Sequence, residues 1–266
     1  MTFTFEPIGT FRGGATYKYE APRQGVYAGG TGRVELLSGM NFETALRELD
    51  GFGRIWLLFV FDRNEGAWRP TTRPPVHVPG IDRVGTLASR SPYRPNPIGL
   101  SCVRLVAVRG RTLEVDEADL LDGTPVLDIK PYVPAADAFP DAHAGWLSNV
   151  IETPWKVDTL PEFDEAAEFV LARGGPDIAR TVRIQLSNSP FDGSRKRVKR
   201  TGESEGTLSM RMFRIDFAVD ATAHSVTARR IRSGYSPDEL AAADDPYSDK
   251  DLHRMFVGTK KEACFK

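Results

Sequence analysis

Ile55-Trp56-Leu57-Leu58-Phe59-Val60-Phe61 is the longest apolar run in the chain. Seven residues fall far short of the roughly 20 needed to span a bilayer, so the run reads as a strand buried in a core. Upstream, an alternation that opens Thr2-Phe3-Thr4-Phe5 suits a half-buried strand over residues 3–12, broken by Gly13-Gly14. A loop rich in Gly, Pro and Tyr leads to a second strand, Gly32-Arg33-Val34-Glu35-Leu36-Leu37. Asn41 is placed to cap a helix with Phe42, Ala45, Leu46 and Leu49 on its apolar face, ending at Gly51. Downstream, a Pro/Arg loop over 68–80 precedes strands near 83–88, 98–109 and 111–118. Many short strands, Gly/Pro turns and one helix predict an antiparallel β-barrel rather than a doubly wound sheet.

The pattern changes after Trp155. Residues 156–162 read as a linker, and a helix is expected from Asp164 to Gly174-Gly175. Alternating segments at 181–187, 208–219 and 224–232 predict a small three-stranded sheet. Ser236-Pro237-Asp238-Glu239 carries a capping box with Pro at the first helical position, and Ser248 with Asp251 marks a second helix start. The expected organisation is a mainly β chain: a barrel over 1–155, then a small α+β domain over 162–266.

Composition bounds the chemistry. A chain of 266 residues, 41% hydrophobic and 27% charged, builds a core without staples. The N-terminus has no basic segment followed by an apolar stretch, so no secretory signal is read and a cytoplasmic location is expected, with no membrane partner. Cys102 and Cys264 are too few and too distant for a disulfide framework; Cys102 is expected as a small core residue. The four histidines lack ligand spacing, so no metal is expected. Net charge is −1, but basic residues gather at 69–104 and 183–200 and acidic ones at 114–122 and 238–251. Local charge, not the total, is what a polyanion would meet.

Three segments carry candidate chemistry. In Ala88-Ser89-Arg90-Ser91-Pro92-Tyr93-Arg94-Pro95-Asn96-Pro97-Ile98, three prolines stiffen a loop from which Arg90, Arg94 and Asn96 project. Trp68-Arg69-Pro70-Thr71-Thr72-Arg73-Pro74-Pro75 repeats the recipe, and two such loops could form one wall of a cleft for an anionic or nucleotide ligand. In Asp119-Leu120-Leu121-Asp122-Gly123-Thr124-Pro125, a turn leads to a strand on which Asp128, Lys130 and Tyr132 share a side. The competing reading of each is a structural loop with solvated charges. No dinucleotide fingerprint, phosphate loop or nucleophile elbow is present. Farther on, the basic run at the end of 187–200 fits contact with an RNA backbone.

Together these segments resemble the TrmO (YaeB/TsaA-like) family of tRNA methyltransferases. The resemblance rests on Pro7-Ile8-Gly9, Pro22-Arg23-Gln24, the stretch from Gly66 to Pro75, the stretch from Thr86 to Ser101, and the stretch from Leu120 to Tyr132; it covers residues 3–150. It implies a non-Rossmann, TsaA-like barrel that works as a homodimer and uses S-adenosyl-L-methionine to methylate N6 of threonylcarbamoyladenosine at position 37 of tRNA, in the anticodon stem-loop. By position, it places cofactor contacts at Gln24, Gly25, Val26, Asp62, Arg63, Arg90, Leu100, Glu117, Ala118, Asp119 and Leu120. At 62–63 the family pair is typically His-Gln, and this chain departs with Asp62-Arg63. In the second domain a DPRPAY-like loop is replaced by Ser189-Pro190-Phe191-Asp192-Gly193-Ser194-Arg195-Lys196.

Because methyl transfer is an in-line displacement, positioning should dominate catalysis. Arg90, Asn96 and Asp122 are the catalytic candidates, with Asp122 or Asp192 as proton acceptor. Arg69, Arg94, Lys130, Asp192, Arg195 and Lys196 are the candidates for tRNA. Two alternatives stay open: a non-catalytic RNA- or nucleotide-binding protein on the same barrel, and a small-molecule methyltransferase.

Overall fold

The computed structural model describes every residue except 1, 2, 23, 28, 29, 151, 152, 195 and 264–266. The chain divides into two compact units, Met1–Ile151 and Glu152–Lys266.

In the first unit, six strands close an antiparallel barrel in the order β1-β2-β7-β6-β3-β8. They are β1 (Gly9–Gly13), β2 (Gly32–Leu36), β3 (Arg54–Val60), β6 (Ile98–Arg109), β7 (Thr112–Asp116) and β8 (Pro125–Pro131). A two-stranded ribbon, β4 (Thr71–Thr72) with β5 (Val84–Gly85), stands apart. The 55–61 run is a barrel strand whose side chains alternate: Ile55, Leu57 and Phe59 are buried while Trp56, Leu58 and Val60 are half-exposed. Phe11, Val34, Val103, Leu113, Val115 and Val126 fill the interior around them. Full burial of one such side chain stabilises by about 1.5–3 kcal/mol.

Several local expectations are corrected. The strand read over 3–12 is formed only at Gly9–Gly13, and Phe3 and Phe5 are exposed. The helix read over 41–51 shrinks to α1 (Phe42–Ala45) and a 3-10 turn at Leu49–Gly51. Glu48 sits in the left-handed region at φ 65°, which interrupts the helix, and Asn41, left-handed at φ 53° just before it, makes no side-chain cap. Cys102 is not a core residue. It points out of the barrel opposite Trp56 and is half-buried; burial pushes its thiol up, against a hydrogen bond from Arg54. A single turn, α2 (Pro134–Asp137), follows β8.

In the second unit, β9 (Lys156–Thr159), β10 (Val198–Arg200), β11 (Glu205–Met210), β12 (Phe213–Asp220) and β13 (Ser225–Ser233) form a sheet in the order β10-β11-β12-β13-β9. There are five strands, not three. Residues 156–159, read as linker, pair parallel with β13. Residues 208–219, read as one strand, are a hairpin that turns at Arg211, where φ is +48°. Residues 181–187, read as a strand, belong to helix α4 (Ile178–Leu186). Val182 and Leu186 fit period two and period 3.6 alike. Capping of Arg180 N by Asp177 and the burial of Ile178, Val182 and Leu186 on one face decide for helix. With α3 (Pro161–Leu171), α4 covers the apolar face of the sheet, where Phe163, Val170, Leu208, Phe213, Ile215 and Ile231 are buried. The capping box at Ser236 opens α5 (Pro237–Ala241), and α6 (Lys250–Ala263) ends the described chain.

Candidate functional site

The two proline-stiffened loops of the first unit are tied into one body. The Arg69 N–H donates to the Tyr93 carbonyl at 3.2 Å, and the Thr86 hydroxyl donates to the Arg69 carbonyl at 2.5 Å. Arg94 lies inside this body: its guanidinium donates to the carbonyls of Thr86 (3.2 Å) and Ser89 (2.8 Å). Arg69 is exposed and stacks 4.4 Å over the Tyr93 ring. Asn96 is exposed at the far end of the loop.

Arg90 leaves this body and donates to the Gln24 side-chain oxygen at 2.6 Å. Next to Gln24, Gly25 lies against the backbone of Glu117: a Cβ there would stand 1.5 Å from the Glu117 oxygen. Only glycine allows so close an approach. Glu117 itself holds φ +59°, a left-handed conformation for a residue with a side chain, and Arg54 anchors it with a 2.6 Å ion pair. Two residues on, the Asp119 carboxylate accepts from the buried Ser101 hydroxyl at 2.5 Å. Burial pushes the Asp119 carboxyl up, opposed by the Ser101 hydrogen bond, the Gly25 amide and the nearby Arg90 charge. Gln24, Gly25, Arg90, Glu117 and Asp119 thus meet in space, though they come from three separate stretches. Val26 is exposed beside them. Ala118 and Leu120 alternate with the site residues and pack into the barrel, so their side chains are turned away. Leu100 faces outward on β6 and is 53% exposed.

A second group forms at the open end of β1. Arg63 donates to the carbonyls of Thr16 and Asp122, and Asp62 beside it is exposed. One Asp122 oxygen accepts from the Gly13 N–H at 3.2 Å, and the other lies 3.9 Å from Arg12. Lys130 is exposed on β8 and pairs with Asp128 at 2.7 Å, on the same side as predicted from the spacing.

In the second unit the 189–196 loop is braced from within. Lys196 donates to the carbonyls of Gln185 (2.6 Å), Asn188 and Ser189 (3.3 Å), at the C-terminal end of α4. Asp192 accepts from the Ser194 N–H and hydroxyl. Arg195 lies outside the described residues. Sequence reasoning missed Ser101 and Arg54. Ser101 sat at the end of a quoted motif, and its buried phase on β6 was the available signal; nothing in sequence links Arg54 to Glu117.

Residues 11–138 match the tRNA-methyltransferase O N-terminal domain. The tRNA (adenine(37)-N6)-methyltransferase of Escherichia coli (strain K12) is 38% identical over 201 residues, covering 73% of this chain and 85% of that protein. The chain belongs to the TrmO family. A probable S-adenosyl-L-methionine-binding protein of Pyrococcus abyssi is 40% identical over 118 residues, 44% of this chain and 61% of its own length. A crystal structure of TrmO from Pseudomonas aeruginosa superposes with a TM-score of 0.64 at 27% identity, covering 88% of this chain and 99% of that one. Among the described residues no cluster fit for a metal ion is found, and no helix is long and apolar enough to cross a membrane.

Proposed function

We propose that this TrmO-family chain is an S-adenosyl-L-methionine-dependent methyltransferase acting on N6 of adenosine 37 in tRNA. The observation that carries the reading is the convergence of Gln24, Gly25, Arg90, Glu117 and Asp119 on one wall of the barrel. The donor set suits the cofactor. A guanidinium and a carboxamide match its amino-acid carboxylate, and a carboxylate beside them accepts from hydroxyl or ammonium groups. When bound, the cofactor supplies an electrophilic methyl group on a sulfonium.

The protein's own contribution is to hold, orient and take a proton. Arg90 and Gln24 bind the carboxylate end, and Asp119, oriented by Ser101, accepts from the remaining polar groups. The Gly25 turn and the backbone of 117–120 form the wall; Asn96, exposed on the loop that carries Arg90, is the remaining catalytic candidate. The threonylcarbamoyl group makes N6 of adenosine amide-like and its proton removable; Asp122 is the acceptor in this reading. Arg69, exposed over the Tyr93 ring, faces the anticodon stem-loop; Arg94 instead braces the loop that presents it, and Lys130 reaches solvent paired with Asp128. Asp192 and Lys196 shape the loop of the second unit. Such an enzyme meets its tRNA in the cytoplasm.

A homodimer fits the outer barrel face. Ile98 and Leu100 on β6 are 42% and 53% exposed and pair with half-exposed Val60 and Leu58 on β3, next to half-exposed Trp56. A patch of that kind marks an interaction surface. Sedimentation should give a dimer, and Ile98→Asp a monomer.

The deciding experiment incubates the chain with methyl-labelled cofactor and bulk tRNA and locates the label by nucleoside mass spectrometry. Label on N6 of the position-37 adenosine supports the reading. Cofactor binding without transfer to tRNA would favour the small-molecule alternative, and no cofactor binding would remove the enzyme.

A further inference from the structure

On the five-stranded sheet of the second unit, strand register sets cations side by side. One rung runs Lys199, Thr207, Asp216, Arg230 across β10 to β13; the next runs Ser209, Arg214, Arg232 across β11 to β13. Neighbouring strands lie about 4.8 Å apart, which makes the first rung about 14 Å long. These side chains occupy the face opposite the helices, since the alternating residues Leu208, Ile215 and Ile231 are buried in the core with α3 and α4.

The two rungs carry four cations and one carboxylate. Asp216 is already shared by Arg230 and Arg232, each at 2.8 Å, and by the Thr207 hydroxyl at 2.9 Å. Its partial burial works against ionisation, but those hydrogen bonds outweigh it and hold the carboxyl well below the usual range. Arg214 and Arg232 are direct cross-strand partners, an arrangement that like charges make unfavourable. Partial burial, then the charges of Arg197 and Arg232, lower the Arg214 pKa, offset only in part by Tyr247 and Glu239; its guanidinium turns back to the carbonyls of Arg211 (3.2 Å) and Phe213 (3.0 Å). Lys199 is exposed. Nearby cations are matched one to one: Lys156 with Asp158 at 3.0 Å and Arg229 with Glu205 at 2.7 Å. The two central rungs are left with excess positive charge at fixed spacing, and the hydroxyls of Thr207 and Ser209 lie between.

We propose that this sheet face docks the phosphate backbone of the tRNA, with exposed Lys199, Arg230 and Arg232 as the phosphate-facing cations. It rests on tRNA being the substrate. Crowded guanidiniums that the sheet must otherwise hold apart are relieved by a polyanion, and release of counterions drives the association. A β-sheet holds them at fixed spacing, so little order is lost on binding.

The test is tRNA binding over a salt series, without cofactor, for Lys199→Gln, Arg230→Gln and the double variant. Arg109→Gln, a 73%-exposed barrel cation, serves as the control. Each lost phosphate contact should lower the slope of log affinity against log salt by about 1. The double variant should bind about tenfold or more weakly near 0.1 M salt. Arg109→Gln should match the wild type, and cofactor affinity should be unchanged throughout. Arg232 still holds Asp216 when Arg230 is replaced; if that variant melts early, Lys199→Gln alone carries the test. Wild-type affinity and slope in the variants would overturn the proposal. If the wild type methylates tRNA yet these variants bind it unchanged, this face alone is excluded; a wild type that neither binds nor methylates tRNA overturns both.

Discussion

Replacing Gly25 with alanine separates the site from the fold. The new methyl would stand 1.5 Å from the Glu117 oxygen, where ordinary contact begins at 3.4 Å. The atom it meets is backbone, in a residue fixed by its left-handed conformation and by Arg54, so the 25–27 turn must retreat by about 2 Å. That carries Gln24 away from Arg90 and the Gly25 amide away from Asp119. A 1 Å misplacement can cost about a hundredfold in rate at an oriented site, so methyl transfer should fall at least that far, and cofactor affinity by calorimetry should fall with it. The turn is short and at the surface, so stability should drop by only about 1–3 kcal/mol. Gly14→Ala is the companion: a Cβ there meets nothing within 4 Å, and binding should be unchanged. Wild-type cofactor affinity in Gly25→Ala, or an equal loss in Gly14→Ala, would refute the assignment of this turn as the pocket wall.

Lys196→Met should destabilise the second unit by about 1.5–3 kcal/mol in urea titration, because three carbonyls lose a charged donor; cofactor affinity should not move. Asp249→Ala should cost about 1–3 kcal/mol, since Asp249 accepts from the Tyr235 hydroxyl at 2.9 Å and lies 3.5 Å from fully buried His253, holding α6 to β13; faster amide exchange in 250–259 would show it. Asp216 has a folded pKa below its unfolded one, so it contributes stability that is present above the unfolded value near 4 and is lost as pH falls toward the folded value. Asp216→Ala should therefore cost about 1–2 kcal/mol at pH 7 and flatten the acid limb of stability against pH below about 4; an unchanged limb would remove this role.

Much of the barrel was legible because alternation of apolar residues is a local property. Residues 32–37, 55–61, 98–109 and 111–118 each carry their phase in sequence and appear as β2, β3, β6 and β7. Where two periods fit equally, as at Val182 and Leu186, the chain alone could not choose, and packing under the sheet chose helix. Left-handed residues such as Asn41, Glu48 and Arg211 carry no glycine to announce the break.

The candidate site divides in the same way. Motifs around 24–26, 86–101 and 117–132 named the residues and, through family resemblance, the cofactor and the reaction. Which cations face outward was not encoded locally. Arg69 and Arg94 have the same neighbours in sequence, prolines and aromatics, yet one stacks on Tyr93 in solvent and the other is consumed by two carbonyls.

What the sequence determined by itself was the barrel class, the TrmO-family membership and the set of chemically able side chains, because periodicity and motif identity survive without coordinates. What only the tertiary structure decided was partnership. How much of a guanidinium, an ammonium or a carboxylate is left for a ligand depends on which carbonyls and counter-charges already share it. Those claims come from residues as distant as Ser101 and Asp119, or Arg214 and Arg232, which the chain brings together only on folding.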